Sequence, residues 1–358
     1  MRKSPLKSPK LAIVPPKSAL PWYVLAAGLY ATFAVYLYRP YFGRFDGWQW
    51  LLPANACAAA FGAYVLSRRW VAGFAASILA GAVYGFGPFL LGLAKFHPTA
   101  GTLAAAIPWL FVPAASFGKK RGGWLGAVLL LVPFAVIMLS FYLAAGRRLF
   151  AAPLQVEVRP SDLVGFIAPL ALISRNAAVL GLYHVPMAAL VLGLAMVWKA
   201  RRHAILLVLL AGLALAFCNL FLDPGKIAWL GVSPILWLSI PMTWCAILSG
   251  IGLQALIEAG YADKKWILAA TIILGVLAIV ALLLAVECFQ VFLGLGDSYG
   301  RLFVEAAKIY LLGALATGII FFMARQKLRL HWLRWALLCA ALAVDIFFGA
   351  RYIVDRIL

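Results

Sequence analysis

Acidic residues are scarce in this chain. Its 358 residues include only 11 Asp+Glu, and charged residues of both signs make up 12%. A water-facing globule runs near a quarter charged, so a composition this poor in charge argues against one. No polar stretch is long enough to form a separate soluble domain. The five cysteines, Cys57, Cys218, Cys245, Cys288 and Cys339, stand singly in apolar stretches without a CxxC pair. That spacing indicates neither a disulfide framework nor a cysteine-held metal, and leaves them as small buried residues. HExxH, GxSxG, P-loop and GxGxxG contexts are missing. So are an arginine-every-third-residue voltage sensor, a selectivity-filter signature and two inverted halves with matching broken helices.

Apolar length is what the chain has in abundance. It is 66% hydrophobic, with a mean hydropathy of +1.00. About 20 apolar residues cross the hydrocarbon as a helix, and windows of that kind occur at 21–38, 48–67, 70–94, 99–117, 123–145, 177–198, 203–222, 229–257, 266–289, 303–324 and 332–353. The expected fold is therefore an all-α polytopic integral membrane protein of about eleven transmembrane helices. Residues 21–358 form one membrane domain, with 145–176 as its longest non-spanning segment. Residues 1–20 carry Arg2, Lys3, Lys7, Lys10 and Lys17 among four prolines, and read as a disordered cytoplasmic tail. The run that follows ends in aromatics and Arg39 rather than a small-residue cleavage site, so it reads as an uncleaved first helix.

The net charge of +20 would point to nucleic acid in a soluble protein. Here the cations sit in short clusters between apolar windows, where they set topology and meet anionic lipid headgroups, and no nucleic-acid partner is expected. With the N-terminus inside, nineteen of the 31 Lys+Arg fall on the inner side. They include Arg68–Arg69, Lys119–Arg121, Arg201–Arg202 and Lys264–Lys265. Positive-inside orientation then places the N-terminus in and the C-terminus out.

Several windows carry breaks. Tyr84-Gly85-Phe86-Gly87-Pro88 interrupts the third and Pro133 the fifth, both marking kinks, and Gly81 with Gly85 forms a small-xxx-small pair suited to close helix packing. Aromatics near predicted span ends, Trp22, Tyr23, Tyr38, Tyr41, Trp48 and Trp50, read as interfacial anchors.

Ionisable groups at bilayer depth cost roughly 2.5–3.5 kcal/mol each, so each asks for a partner or a task. Asp46, in RPYFGRFDGW, is either salt-bridged to Arg39 and Arg44 or a metal-binding or general-base carboxylate. Asp162, after Pro160-Ser161, is a helix N-cap or a ligand-facing acid in the outer segment. Lys95 and His97, in AKFHPTAG, close an outer turn and suit a phosphate contact, although a lone loop histidine is the plainer account. His184 is membrane-embedded beside Tyr183 and Pro186. Asp223 and Lys226 can pair with each other, as can Asp297, Arg301 and Glu305 at i,i+4 spacing. Glu287 and Asp345 lie deeper and have no partner nearby in sequence, leaving each to a basic group across the bundle.

Three stretches together resemble the large bacterial membrane glycosyltransferases of the GT-C superfamily, particularly the YfhO-like branch. Phe61–Pro113 has a span ending in paired arginines, a small-residue span closing in Tyr-x-Phe-x-Pro, an outer histidine and a span with Pro-Trp. Pro160–Val185 is similar to an outer "dl…P" segment leading into a Gly-Tyr helix start, and Asp223–Leu256 to a Pro-started span ending in Gly-x-Gly-Leu. The resemblance implies transfer of a sugar from a polyprenyl-phosphate donor on the outer face of the bacterial inner membrane. It implies Asp46 as base or metal ligand, with a divalent cation such as Mg or Mn. Lys95 and His97 would hold donor phosphate, Arg159 and Asp162 would act from the long outer segment, and membrane lipids would be the surrounding partners. The chain departs from the pattern in having one acid in its first outer loop rather than two, and Ser233-Pro234-Ile235-Leu236 where relatives carry an arginine. A non-catalytic relative therefore stays open. So do a lipid or lipid-linked-sugar carrier using the same basic groups, and a scaffold subunit of an envelope-assembly complex.

Overall fold

In a computed structural model the described residues are 20–45, 47–69, 71, 73–114, 128–146, 184–200, 203–217, 234–259, 264–291, 298–325 and 331–357. They form helices and no strand. In chain order these are α1 (Leu20–Tyr38), α2 (Leu51–Ser67), α3 (Phe74–Gly85), α4 (Pro88–Phe96), α5 (Pro98–Ala114), α6 (Val132–Gly146), α7 (Met187–Ala200), α8 (His203–Ala216), α9 (Ser239–Ala259), α10 (Lys264–Val291), α11 (Ser298–Arg325) and α12 (His331–Ile357). Short 3₁₀ turns over Arg39–Arg44 and Gly47–Trp50 connect α1 to α2, and Pro234–Leu238 leads into α9.

Six helical stretches among the described residues are long and apolar enough to cross a membrane: Leu20–Arg44, Phe74–Phe96, Ile235–Leu256, Lys265–Glu287, Phe303–Arg325 and Ala336–Asp355. These are the dimensions of a multi-pass membrane protein. The expected count was eleven. Other apolar windows, among them 123–145, 177–198 and 203–222, lie partly outside the described residues, and the shorter apolar helices described include Leu51–Ser67 and Met187–Met196.

Small residues set the packing at the centre. α3 lies between α2 and α9, and its glycines leave no room for a side chain. A methyl group at Gly85 would come within 2.5 Å of the Ala56 carbonyl oxygen and of Ala60 Cβ, and one at Gly81 within 2.5 Å of the Ala60 carbonyl oxygen. On the opposite face, Gly250 of α9 sits on Ala76 and Ala80. Close backbone approach of this kind is how apolar helices associate where no water is present to drive them together. Trp109 of α5 packs over Gly62, and its indole N–H donates to the Ala58 carbonyl at 3.0 Å.

The breaks fall partly where expected. The third window divides into α3 and α4 at Phe86–Gly87, where Gly87 is extended and Pro88 opens α4 without an N–H to donate. Pro133 was expected to kink a span from within. It sits in the first turn of α6, just after a turn at 130–131 that separates α6 from helical residues 128–129, so the window is interrupted there. Of the expected interfacial aromatics, Trp22 and Trp50 are exposed, but Tyr38 is buried beside Phe45.

Helix ends sort to two sides. Tyr64 donates to the Trp22 carbonyl, Trp22 packs on Phe74, and the Gly73 N–H donates to Gln254 Oε1 at 3.0 Å. These contacts bring the start of α1, the end of α2, the start of α3 and the end of α9 together. At the other side the Tyr41 hydroxyl donates to Asp355, which Arg351 also holds, joining the end of α1 to the end of α12.

Candidate functional site

Three buried polar side chains, His184, Asp345 and Ser249, meet where α7 begins. His184, Val185 and Pro186 form no regular structure, and α7 starts at Met187. The Pro186 carbonyl accepts the Leu190 N–H at 2.9 Å, so Pro186 stands at the helix cap but has no side-chain oxygen to offer the next free amides. Asp345 supplies one from across the bundle: its Oδ2 accepts the Ala188 N–H at 3.0 Å. The partner expected for Asp345 was a basic side chain. It is the positive end of a helix, which stabilises a carboxylate for the same electrostatic reason.

Two further helices hold the start of α7. Ser249 of α9 donates to the Ala189 carbonyl at 2.6 Å, and Trp266 of α10 donates to the Val191 carbonyl at 3.2 Å. Gly252 and Gly313 let α9 and α11 approach α7 at Leu192 and Met187.

This junction lies deep. Asp345 is nine residues from one end of the Ala336–Asp355 span and ten from the other. That is about 14–15 Å of helix on each side. The α3/α4 break reaches the same level: a methyl group added at Gly349, one turn along α12 from Asp345, would meet Pro88 Cγ at 3.5 Å and His184 Nε2 at 3.9 Å. Two helix N-termini, those of α4 and α7, therefore meet one face of α12 at mid-depth. Between them lies a cavity lined by Val83, Tyr84, Gly87, Phe89, His184, Val185, Pro186 and Met242, with room for about one water molecule. The His184 ring is 1% exposed and its Nδ1 has no hydrogen-bond partner among the described residues. The Tyr84 hydroxyl donates to the Ala104 carbonyl at 2.7 Å.

The other expected site residues divide between the far turn and the undescribed segments. Lys95 is half-buried at the end of α4. His97, expected on an outer turn, is fully buried, and neither ring nitrogen has a partner among the described residues. Burial pushes its imidazole down to about 4. The turn carrying Lys95 and His97 lies at the same end of the bundle as the 39–50 turn. Asn55, one turn into α2, donates to Thr102, one turn into α5, at 3.0 Å. In the 39–50 turn Phe42 stacks on Trp50, with Phe45 edge-on to both. Asp46, Arg159 and Asp162 lie outside the described residues, as do Arg147, Arg148, Asp223, Lys226, Asp297 and nearly all of 145–176. Glu305 pairs with Lys308 at 2.8 Å, and Glu287 is exposed near the end of α10. Among the described residues no three of His, Cys, Asp or Glu group as a metal site.

Asp345 was noted in the sequence for its depth, but nothing near it in the chain names Ala188, 157 residues away. The one local signal was Pro186, a proline at a helix start that cannot cap itself.

No protein-family model, curated protein or solved structure matches this chain. The likeness to GT-C glycosyltransferases accordingly rests on the three sequence stretches alone.

Proposed function

We propose that this chain is a carrier for an amphipathic, anionic lipid in the bacterial inner membrane. It crosses eleven times with its N-terminus in and C-terminus out, the short helices such as α7 completing crossings together with neighbouring segments. The observation that carries this reading is the junction of His184, Asp345 and two helix N-termini at mid-depth. Interrupted helices whose ends meet at the bilayer centre are how membrane carriers build a polar site without exposing backbone to lipid. Ionisable side chains at that depth mark such sites. Lys95 and the cations of the outer turns would receive the headgroup.

The test is reconstitution into vesicles of phosphatidylethanolamine and phosphatidylglycerol containing fluorescent phosphatidylglycerol, with inner-leaflet probe followed by its protection from a membrane-impermeant quencher. A carrier equilibrates the leaflets at least several-fold faster than empty vesicles. Equal rates with and without protein end the reading.

A second reading, the outer-face glycosyltransferase, is favoured by one observation. The turn bearing Asp46 and the turn bearing Lys95 and His97 lie at one end of the bundle, and the former is paved with the Phe42, Phe45 and Trp50 rings. Asp46 would act as base or hold Mg or Mn, while Lys95, His97, Arg159 and Asp162 engage a polyprenyl-phosphate sugar. Asp46→Asn separates the two: a transferase loses turnover on a radiolabelled polyprenyl-phosphate sugar, and a carrier keeps its transport rate.

A further inference from the structure

We infer that His184 is a proton-binding site at the bilayer centre and that proton entry there drives the carrier. This inference rests on the carrier reading and names the ion coupled to it.

A neutral imidazole carries one N–H and one bare nitrogen, and burial of either without a partner is costly. Here the ring is 1% exposed, Nδ1 has no partner among the described residues, and the ring borders a cavity that holds about one water molecule. The structure thus keeps a basic nitrogen at mid-depth beside a space fit for the species that would deliver its proton. On protonation the bare nitrogen's lone pair takes one proton from a hydronium ion in that cavity, releasing water and leaving an imidazolium.

A lone cation at this depth would be unstable, and Asp345 provides the opposite charge. The His184 ring lies against α12 at Gly349, one helical turn, about 5.4 Å, from Asp345. Asp345 in turn caps α7 through the Ala188 N–H. A proton on His184 therefore competes with the α7 N-terminus for the same carboxylate. Drawing Asp345 toward the imidazolium weakens its hold on Ala188, so occupancy of the site is linked to the position of α7 through contacts already in place.

Other ionisable groups lie on the surrounding helices, Tyr352 among them, one turn along α12 from Gly349 with its hydroxyl buried. From α3 comes Tyr84, whose hydroxyl is bound to the Ala104 carbonyl, and from α9 Cys245, one turn before Ser249. α11 brings Tyr310, one turn before the Gly313 that touches Met187. Lys95 lies at the far end of α4, Lys199 at the far end of α7, and Arg351 and Asp355 pair with each other toward the end of α12.

The test follows fluorescent phosphatidylglycerol in the same vesicles, with and without a pH gradient of 1.5 units across the membrane. Wild-type protein should move the probe several-fold faster with the gradient. His184→Gln, neutral at all working pH, should lose the stimulation, so that its rates with and without the gradient are equal. Asp345→Asn, which still accepts the Ala188 N–H, should lose most of it as well, while His97→Gln should keep it. Each variant is first required to elute as wild type does. Transport that ignores the gradient in wild type, or gradient stimulation that survives His184→Gln, overturns the proton assignment and leaves the carrier standing. Absence of probe movement under every condition overturns the carrier reading and this inference with it.

Discussion

Between α2 and α3 the backbones touch through Gly81, Gly85, Ala56 and Ala60, and shape alone does the holding. At the start of α7, three side chains from three helices, Asp345, Ser249 and Trp266, reach for individual backbone groups. The first contact is tight but indifferent to charge and pH. The second is held by a few directional bonds, each of which can be released singly. The two regions therefore differ in what a single substitution can undo: a clash in the first and one bond at a time in the second.

That comparison can be broken at either end. Gly85→Leu should have the largest effect, because even its Cβ meets backbone oxygen and the rest of the side chain has nowhere to go. A loss of about 3 kcal/mol or more is expected, read as collapse of the thermal unfolding midpoint in detergent. Asp345→Ala removes the only cross-bundle cap on α7 among the described residues and should cost about 2 kcal/mol in the same measurement. Asp345→Asn should cost clearly less, since an amide oxygen still accepts from Ala188. If the two variants lose equally, the carboxylate is not acting as a cap.

His97→Leu sharpens the contrast from the other side. With two buried ring nitrogens lacking a partner among the described residues, an apolar replacement should leave stability unchanged or raise it by about 1 kcal/mol. It should also flatten the acid response. The folded imidazole takes up a proton only near pH 4, whereas the unfolded one does so near 6.5. The unfolded state therefore binds more protons between those values, and stability falls as pH drops from 6.5 toward 4. The wild-type midpoint should decline over that window by more than that of His97→Leu. Ser249→Ala should cost only about 0.6 kcal/mol, the usual worth of a hydrogen bond between membrane helices. Gly275→Ala closes the series near zero or slightly stabilising, for no atom lies within 4 Å of the added methyl and alanine favours helix. A loss at Gly275 as large as at Gly85 would show that backbone proximity is not what makes the α2–α3 glycines matter.

Much of the helical framework was legible because it is local. Apolar length gave the helices, Gly87-Pro88 marked the break between α3 and α4, and the Gly81–Gly85 spacing marked the close contact on α2. What the sequence could not convey were contacts set by distant partners. Nothing beside Asp345 names Ala188, and nothing in AKFHPTAG tells that the His97 ring turns inward rather than toward an interface. Of the expected site residues that are described, Lys95, His97 and His184, the last alone falls at the mid-depth junction, and it was singled out for being an embedded histidine rather than for any motif.

The Tyr41 hydroxyl and the Asp355 carboxylate that receives it are separated by 314 residues. At ribosomal speeds of about 5–20 residues per second, the tyrosine is made some 15 to 60 seconds before its mate. Throughout that interval α1 stands in the bilayer with its Phe33 and Tyr36 rings still lacking Phe347, against which they later pack. Contact between α1 and α12 is thus a late event in biogenesis. An insertion chaperone or the surrounding lipid must shelter that early helix until α12 arrives.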